Sequence, residues 1–187
     1  KNYDKLGLLL NYKPTDNILI TLDELKNTIG KNDIKCLAMQ KLDGDDYSVY
    51  SFAINGNALA VVPMKRSGLI PGMSTGGEVV NNIEIIEYVK KIIYAFKFNG
   101  SINIQLKLTH KGPLLYEINN RISATTIIVT VFGLNFPLYE VLLAQGRDNL
   151  VREKILGAKI KWGMRMNRFH QEVYNDDGNY FIYENGI

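Results

Sequence analysis

The chain has 187 residues, 46% hydrophobic and 22% charged, with a formal net charge of +3 from 22 basic and 19 acidic residues. That is ordinary globular usage, enough for one domain or two small lobes, and too balanced in charge for a nucleic-acid surface. No apolar run reaches the roughly 18 residues of a membrane span, no signal peptide is legible, and the one cysteine, Cys36, fits buried packing in a reducing cytoplasm.

The first elements predicted are strands over residues 6–12 and 17–20. Thr21 and Glu24 then have the spacing of a capping box, which opens a short helix that Gly30 closes. A strand is expected over 35–42, with a turn at Asp43-Gly44. Residues 47–54 and 58–64 flank Asn55-Gly56-Asn57 and read as a hairpin, because Asn-Gly tolerates positive φ. Residues 67–77 are rich in Gly, Ser and Pro and read as a long mobile loop. The clearest helix covers 82–98, where Ile85, Ile86, Val89, Ile92, Ile93 and Phe96 form one apolar stripe.

A second hairpin follows, with strands over 101–109 and 113–119 and a three-residue turn centred on Lys111. The β-branched stretch 125–132 suits helix or strand equally. A helix is expected over 137–145, with Pro at its start and Gly146 at its end, and a late strand over 159–166. Helices interspersed with hairpins, rather than strict βαβ alternation, predict an α+β fold with mainly antiparallel sheets.

The second hairpin carries the chemistry. In Ile102 to Leu108 apolar and polar residues alternate, so Asn103, Gln105 and Lys107 share a face. With the three-residue turn, Gln105 lies directly opposite Glu117, about 5 Å away at Cβ, and Asn119 is the next residue along that face. Three oxygen donors then converge. Hard cations such as Mg²⁺ take oxygen ligands, commonly one or two carboxylates completed by substrate phosphates. Arg121 adds a fork of donors for phosphate oxygens. A turn of even length would break this register. A solvent-facing strand carrying the same residues by chance is the plain alternative.

These residues also resemble a known family. Tyr116-Glu117-Ile118-Asn119-Asn120-Arg121-Ile122-Ser123 is similar to the E-x-N-P-R-x-S segment of ATP-grasp enzymes, most like the carbamoyl-phosphate synthase large-subunit-like ligases. Gly100, Asn103 and Gln105 match that family's G-x-x-N-x-Q. The stretch from Met39 to Val49 resembles the hinge Q-E-Y-L-x-G-x-E-Y-S-V. Val62 to Arg66 before a Gly-rich stretch, and Gly133 to Pro137, fit as well.

The resemblance implies an ATP-grasp fold of two lobes with the nucleotide between them. Residues 1–39 would belong to the small lobe, and residues 40–187 would form the hinge and the large lobe with the metal site. It implies Gln105, Glu117 and Asn119 as ligands of Mg²⁺, with Mn²⁺ as an alternative. Gln40, Lys41 and Leu42 would read adenine through backbone groups, and Asp46 would hold the ribose. Lys13, in Tyr12-Lys13-Pro14, would reach the ATP phosphates, and Arg121 would lie at the transferred phosphate. The partners implied are ATP, a small carboxylate and an amine, with no nucleic acid or membrane, and a homodimer is compatible.

The sequence departs from the family at Asn120, which replaces Pro, and at Gln40, which replaces Glu. The family's glycine-rich loop after Lys-Pro is also missing: the chain runs from Pro14-Thr15-Asp16-Asn17 straight to Ile18-Leu19-Ile20. The resemblance implies, as the first reading, an ATP- and Mg²⁺-dependent ligase that activates a carboxylate as an acyl phosphate for attack by an amine or similar nucleophile; that loop covers the phosphates, so a non-catalytic nucleotide-binding or regulatory module is the second reading. A plain α+β interaction domain is the third. The family's N-terminal substrate domain is absent as well, and with the abrupt start at Lys1 this suggests part of a larger protein. His110 and His170 have no partner at ligand or triad spacing, and Gly76-Gly77 lacks the Lys-Ser/Thr of a P-loop.

Overall fold

The computed structural model describes residues 21–29, 39–70, 73–169, 173–176 and 179–182. The first element among the described residues is helix α1 (Leu22–Ile29). Its start is the capping box expected from sequence: the Glu24 amide donates to Thr21 Oγ1 at 3.1 Å, and the Thr21 amide donates to the Glu24 carboxylate at 2.9 Å. The strands expected over 6–12 and 17–20, Lys13, Gly30 and Cys36 lie outside the described residues. Of the strand expected over 35–42, residues 39–42 are described and are not strand.

The strands β1 (Asp45–Ile54), β2 (Asn57–Ile70), β3 (Met73–Val79), β4 (Gly100–Thr109), β5 (Gly112–Asn119) and β6 (Arg165–Asn167) form one six-stranded sheet in the order β5-β4-β1-β2-β3-β6. Every pairing in it is antiparallel. A separate pair joins β7 (Val173–Asp176) and β8 (Asn179–Ile182). The β1–β2 turn is the two residues Asn55 and Gly56, both at positive φ (52° and 81°), as the Asn-Gly signal predicted.

The stretch 67–77, expected as a loop, is instead the end of β2 and most of β3. Its glycines serve close packing. A Cβ on Gly77 would lie 2.7 Å from Met64 Sδ and 2.8 Å from the Lys65 carbonyl oxygen. Glycine there lets β3 sit tightly on β2, where composition alone signals a loop.

Helix α2 (Ile83–Phe96) is capped by Asn82, whose side chain accepts from the Ile85 amide, and it ends at Lys97 in the left-handed conformation. Its stripe of Ile85, Ile86, Val89 and Ile93 packs on the face of the sheet that carries Tyr47, Val49, Ile102, Ile104 and Leu106. The opposite face carries Tyr50, Phe52, Ile54, Val62 and Met64. It is covered by α3 (Ile127–Thr130), α4 (Phe136–Ala144) and α5 (Asp148–Gly157). Each fully buried large apolar side chain contributes about 1.5–3 kcal/mol, so β1, buried on both faces from Tyr47 to Ile54, is the centre of the fold.

The ambiguous 125–132 stretch resolves as the single helical turn α3. Helix α5 was not foreseen, because only Val151 and Ile155 of its ten residues are buried. The strand expected over 159–166 shrinks to three residues.

The helix-covered face is covered only in part. Along β1 the same-face row runs Ile54, Phe52, Tyr50, Ser48, Asp46. Along β2 it runs Val62, Met64, Arg66, and along β4 Ser101, Asn103, Gln105, Lys107. Each row ends polar at the edge away from the helices. Among the described residues the apolar part is roofed and the polar part is left uncovered, which makes it a candidate site.

Candidate functional site

The open half-face is completed by β5, whose register differs from the expected one in an instructive way. Thr109 pairs with Gly112, so the turn is the two residues His110 and Lys111, not three. Continued without interruption, that register would set Glu117 opposite Ile104, facing α2. A β-bulge intervenes: Leu106 pairs with Leu115 and Gln105 with Glu117, leaving Tyr116 as the extra residue. Gln105 therefore does oppose Glu117, and Asn103 opposes Asn119, as the hairpin argument required, but through the bulge rather than the turn. The bulge also brings Tyr116 onto the open face, contrary to simple alternation.

Tyr116 sits at the centre of a polar network. Its hydroxyl lies 2.8 Å from Asp46 Oδ1 and 3.0 Å from Gln105 Oε1, and it accepts from Arg66 Nη1 at 3.0 Å. Burial raises its pKa well above the usual 10, and the adjacent Asp46 carboxylate adds to the shift, so it stays protonated as a donor. Arg66 Nη1 also donates to Gln105 Oε1 at 3.1 Å and approaches Asp46 Oδ1 at 3.4 Å. Lys107 reaches the second Asp46 oxygen at 3.3 Å. Asp46 and Arg66 are each only 12% exposed. Asp46 thus faces the site with its carboxylate already held by two cations and a phenol. Sequence reasoning missed Arg66 and Tyr116 as site residues. The polar end of the alternating β2 row would have pointed to Arg66, but no sequence signal marks the bulge that admits Tyr116.

The remaining candidates surround this network. Gln105 and Asn119 are half-buried, and Glu117 and Arg121 are exposed. Arg121 Nη2 donates to Asn119 Oδ1 at 3.2 Å and Nη1 to the Ile122 carbonyl. A pocket beyond them is lined by Arg66, Gln105, Asn119 and Arg121 with Ser48, Ser74, Asn103, Ser123, Ala124 and Thr125. Asn103 is buried at its floor. Its Nδ2 donates to Ser48 Oγ at 2.8 Å, and its Oδ1 has no partner among the described residues. Tyr50 ties the floor down by donating to Thr125 Oγ1 at 2.8 Å.

On the other side of Tyr116, Met39, Gln40 and Leu42 line an open cleft with Leu114, Leu115 and Tyr116. Gln40 and Lys41 are exposed and Leu42 is half-buried. Lys13 is not among the described residues.

Among the described residues no three His, Cys, Asp or Glu side chains cluster to hold a metal ion. The donor set of Gln105, Glu117 and Asn119 is one carboxylate and two carboxamide oxygens. That chemistry fits a hard divalent cation whose shell substrate oxygens complete, and does not fit Zn²⁺.

A six-stranded antiparallel sheet with helices packed on both faces defines an α+β fold. A solved structure described as phosphoribosylglycinamide synthetase from Anaerococcus prevotii is similar at a TM-score of 0.54 and 20% identity, over 67% of this chain and 34% of that one. The chain therefore spans about a third of the length of that protein. An L-amino acid ligase from Bacillus licheniformis overlaps 49% of this chain and 25% of its own at 18% identity, with a TM-score of 0.39. No curated protein matches the chain. The family described as "ATP-grasp in the biosynthetic pathway with Ter operon" matches residues 33–166, well over half the sequence, and the chain belongs to it. The expected ATP-grasp membership is thus shown, while the carbamoyl-phosphate synthase-like branch rests on the motifs alone. Among the described residues no helix is long and apolar enough to cross a membrane.

Proposed function

We propose that this chain holds ATP and Mg²⁺ for a ligase reaction in which a carboxylate oxygen attacks the γ-phosphorus, ADP leaves, and an amine then displaces phosphate from the acyl carbon. The observation that supports it best is the pairing of Gln105 with Glu117 and Asn103 with Asn119 on an open polar half-face, in a chain of ATP-grasp family. Gln105, Glu117 and Asn119 would hold the cation, which supplies neutralisation of phosphate charge when bound. The protein's part in phosphoryl transfer is positioning and electrostatics rather than covalent chemistry.

The chain's own groups fall into place around that centre. The cleft lined by Met39, Gln40, Leu42 and Leu114 to Tyr116 has the apolar walls an adenine ring needs, and backbone groups of Gln40, Lys41 and Leu42 would read the ring's edge. Asp46 lies between the cleft and the metal face. It would accept from a ribose hydroxyl by exchanging the Tyr116 donor for it. Arg121, exposed beside Asn119, would stabilise the transferred phosphoryl group, and Lys13 would steady the phosphates. The polar pocket past Arg121 is the place for the carboxylate substrate.

Replacing Glu117 with Ala removes the only carboxylate of the donor set. Mg²⁺-dependent nucleotide binding measured by calorimetry is expected to disappear, and unchanged binding would sink the assignment. The lack of a glycine-rich loop after Lys13-Pro14 favours a second reading, a nucleotide-binding module without turnover. An ATPase assay of the full-length protein with candidate carboxylates separates the two.

A further inference from the structure

Gln105 Oε1, the oxygen assigned above to the metal, is already engaged. Arg66 Nη1 donates to it at 3.1 Å, and the Tyr116 hydroxyl lies 3.0 Å away. A carboxamide oxygen offers two lone pairs: the guanidinium takes one, and the Tyr116 hydroxyl, whose single hydrogen is shared with Asp46, faces the other. A divalent cation and a guanidinium cannot share that oxygen, because two positive charges a few ångströms apart repel strongly in a partly desolvated site.

The hold on Arg66 is shared rather than firm. Nη1 carries two hydrogens and faces three acceptors, Tyr116, Gln105 and Asp46, at 3.0, 3.1 and 3.4 Å. Asp46 also serves Lys107, so one carboxylate is shared between two cations. Arg66 also lines the pocket that Arg121 lines from another element, and no Asp or Glu is among that pocket's lining residues. This shared cation therefore borders a cavity with no acidic side chain in its lining.

We propose that Arg66 is a metal-displaced clamp: it caps Gln105 in the metal-free protein, and a cation arriving at Gln105 turns its guanidinium into the pocket, where with Arg121 it binds a phosphoryl or carboxylate oxygen. This rests on the metal-site reading given above. It adds a specific consequence, that metal and anion reinforce each other's binding. Coupling of this kind is reciprocal, so it is measurable from either side. It also gives an order to events: the anion site is assembled only when the metal is in place.

The test is Mn²⁺ binding to the full chain, followed by the ion's paramagnetic signal, alone and with inorganic phosphate or acetate. Wild type, Arg66→Met, Lys107→Gln and Glu117→Ala are compared, after melting curves confirm folding. In wild type one anion is expected to tighten Mn²⁺ binding about tenfold, the scale of one charge-assisted hydrogen bond. Enhancement by phosphate identifies a phosphoryl oxygen as the ligand, and enhancement by acetate alone a substrate carboxylate. Arg66→Met is expected to bind Mn²⁺ more tightly than wild type without anion, and to lose the enhancement. Lys107→Gln frees Asp46 to hold Arg66 more firmly, so it is expected to reduce the enhancement without abolishing it.

If Arg66→Met does not fold, Arg66→Lys takes its place and is expected to weaken the enhancement, since an ammonium lacks the fork. The proposal is overturned if Arg66→Met keeps the full enhancement and gains no more metal affinity than Lys107→Gln. If Glu117→Ala leaves Mn²⁺ binding unchanged, the metal-site reading itself falls, and the clamp with it.

Discussion

Removing the Tyr116 hydroxyl tests the network at its centre. In Tyr116→Phe the ring still packs in the bulge, but Asp46 and Gln105 each lose a contact at 2.8 and 3.0 Å, and Arg66 loses an acceptor at 3.0 Å. None of them is stranded. Asp46 keeps Arg66 and Lys107, and Gln105 keeps Arg66. The loss is therefore that of one charge-assisted hydrogen bond in a half-buried setting, about 1–2 kcal/mol. For a chain of this length that is a fall in Tm of roughly 2 to 8 °C.

The alkaline limb gives an independent signature. The folded-state pKa of Tyr116 is raised above the unfolded value of 10.0, chiefly by burial and then by Asp46. The folded protein thus keeps a proton that the unfolded chain releases above pH 10. This contribution to stability is present in full below pH 10 and is lost as pH rises from there toward the folded pKa. Tyr47, Tyr50 and Tyr139 are raised in the same direction, so the variant keeps part of the slope. Urea unfolding at pH 7 and at several points above pH 10 measures both effects. A variant as stable as wild type at pH 7, with an equally steep alkaline loss, would refute the reasoning.

Two further changes probe the frame that presents the site. Asn82→Ala removes the acceptor for the Ile85 amide at 3.0 Å and is expected to cost about 1 kcal/mol, seen as a lower urea midpoint at unchanged slope. Gly77→Ala places a methyl against Met64 and the Lys65 carbonyl, across from Arg66. It is expected to cost about 1–3 kcal/mol as β3 shifts from β2, and unaltered melting would show that the sheet yields there without strain.

The site was legible in parts, for reasons that individual residues make clear. Glu117, Asn119 and Arg121 stood out as candidates because their spacing is local and family-like, and Gln105 because alternation along β4 sets its face. Their convergence was inferred from a three-residue turn that the chain does not make. The bulge at Tyr116 restores the pairing, and a bulge leaves no periodic mark. The helix over 82–98 was readable because its stripe is long. Helix α5 was not, because two buried residues in ten make no clear stripe. The Gly-rich stretch 67–77 read as a loop because glycine's use in close strand packing looks the same, in sequence, as its use in a turn.

By itself the sequence determined the element types with strong periodicity, the Asn55-Gly56 hairpin, the Thr21 capping box and the set of oxygen donors. Those depend on neighbours within a few residues, where backbone geometry ties position to direction. Only the tertiary structure decided which half of the sheet face is roofed by α3 to α5 and which stays open. It alone brought Arg66 from β2 and Asp46 from β1 to Gln105 and Tyr116, because contacts across strands follow from register, and one extra residue in β5 changes which face every later side chain occupies.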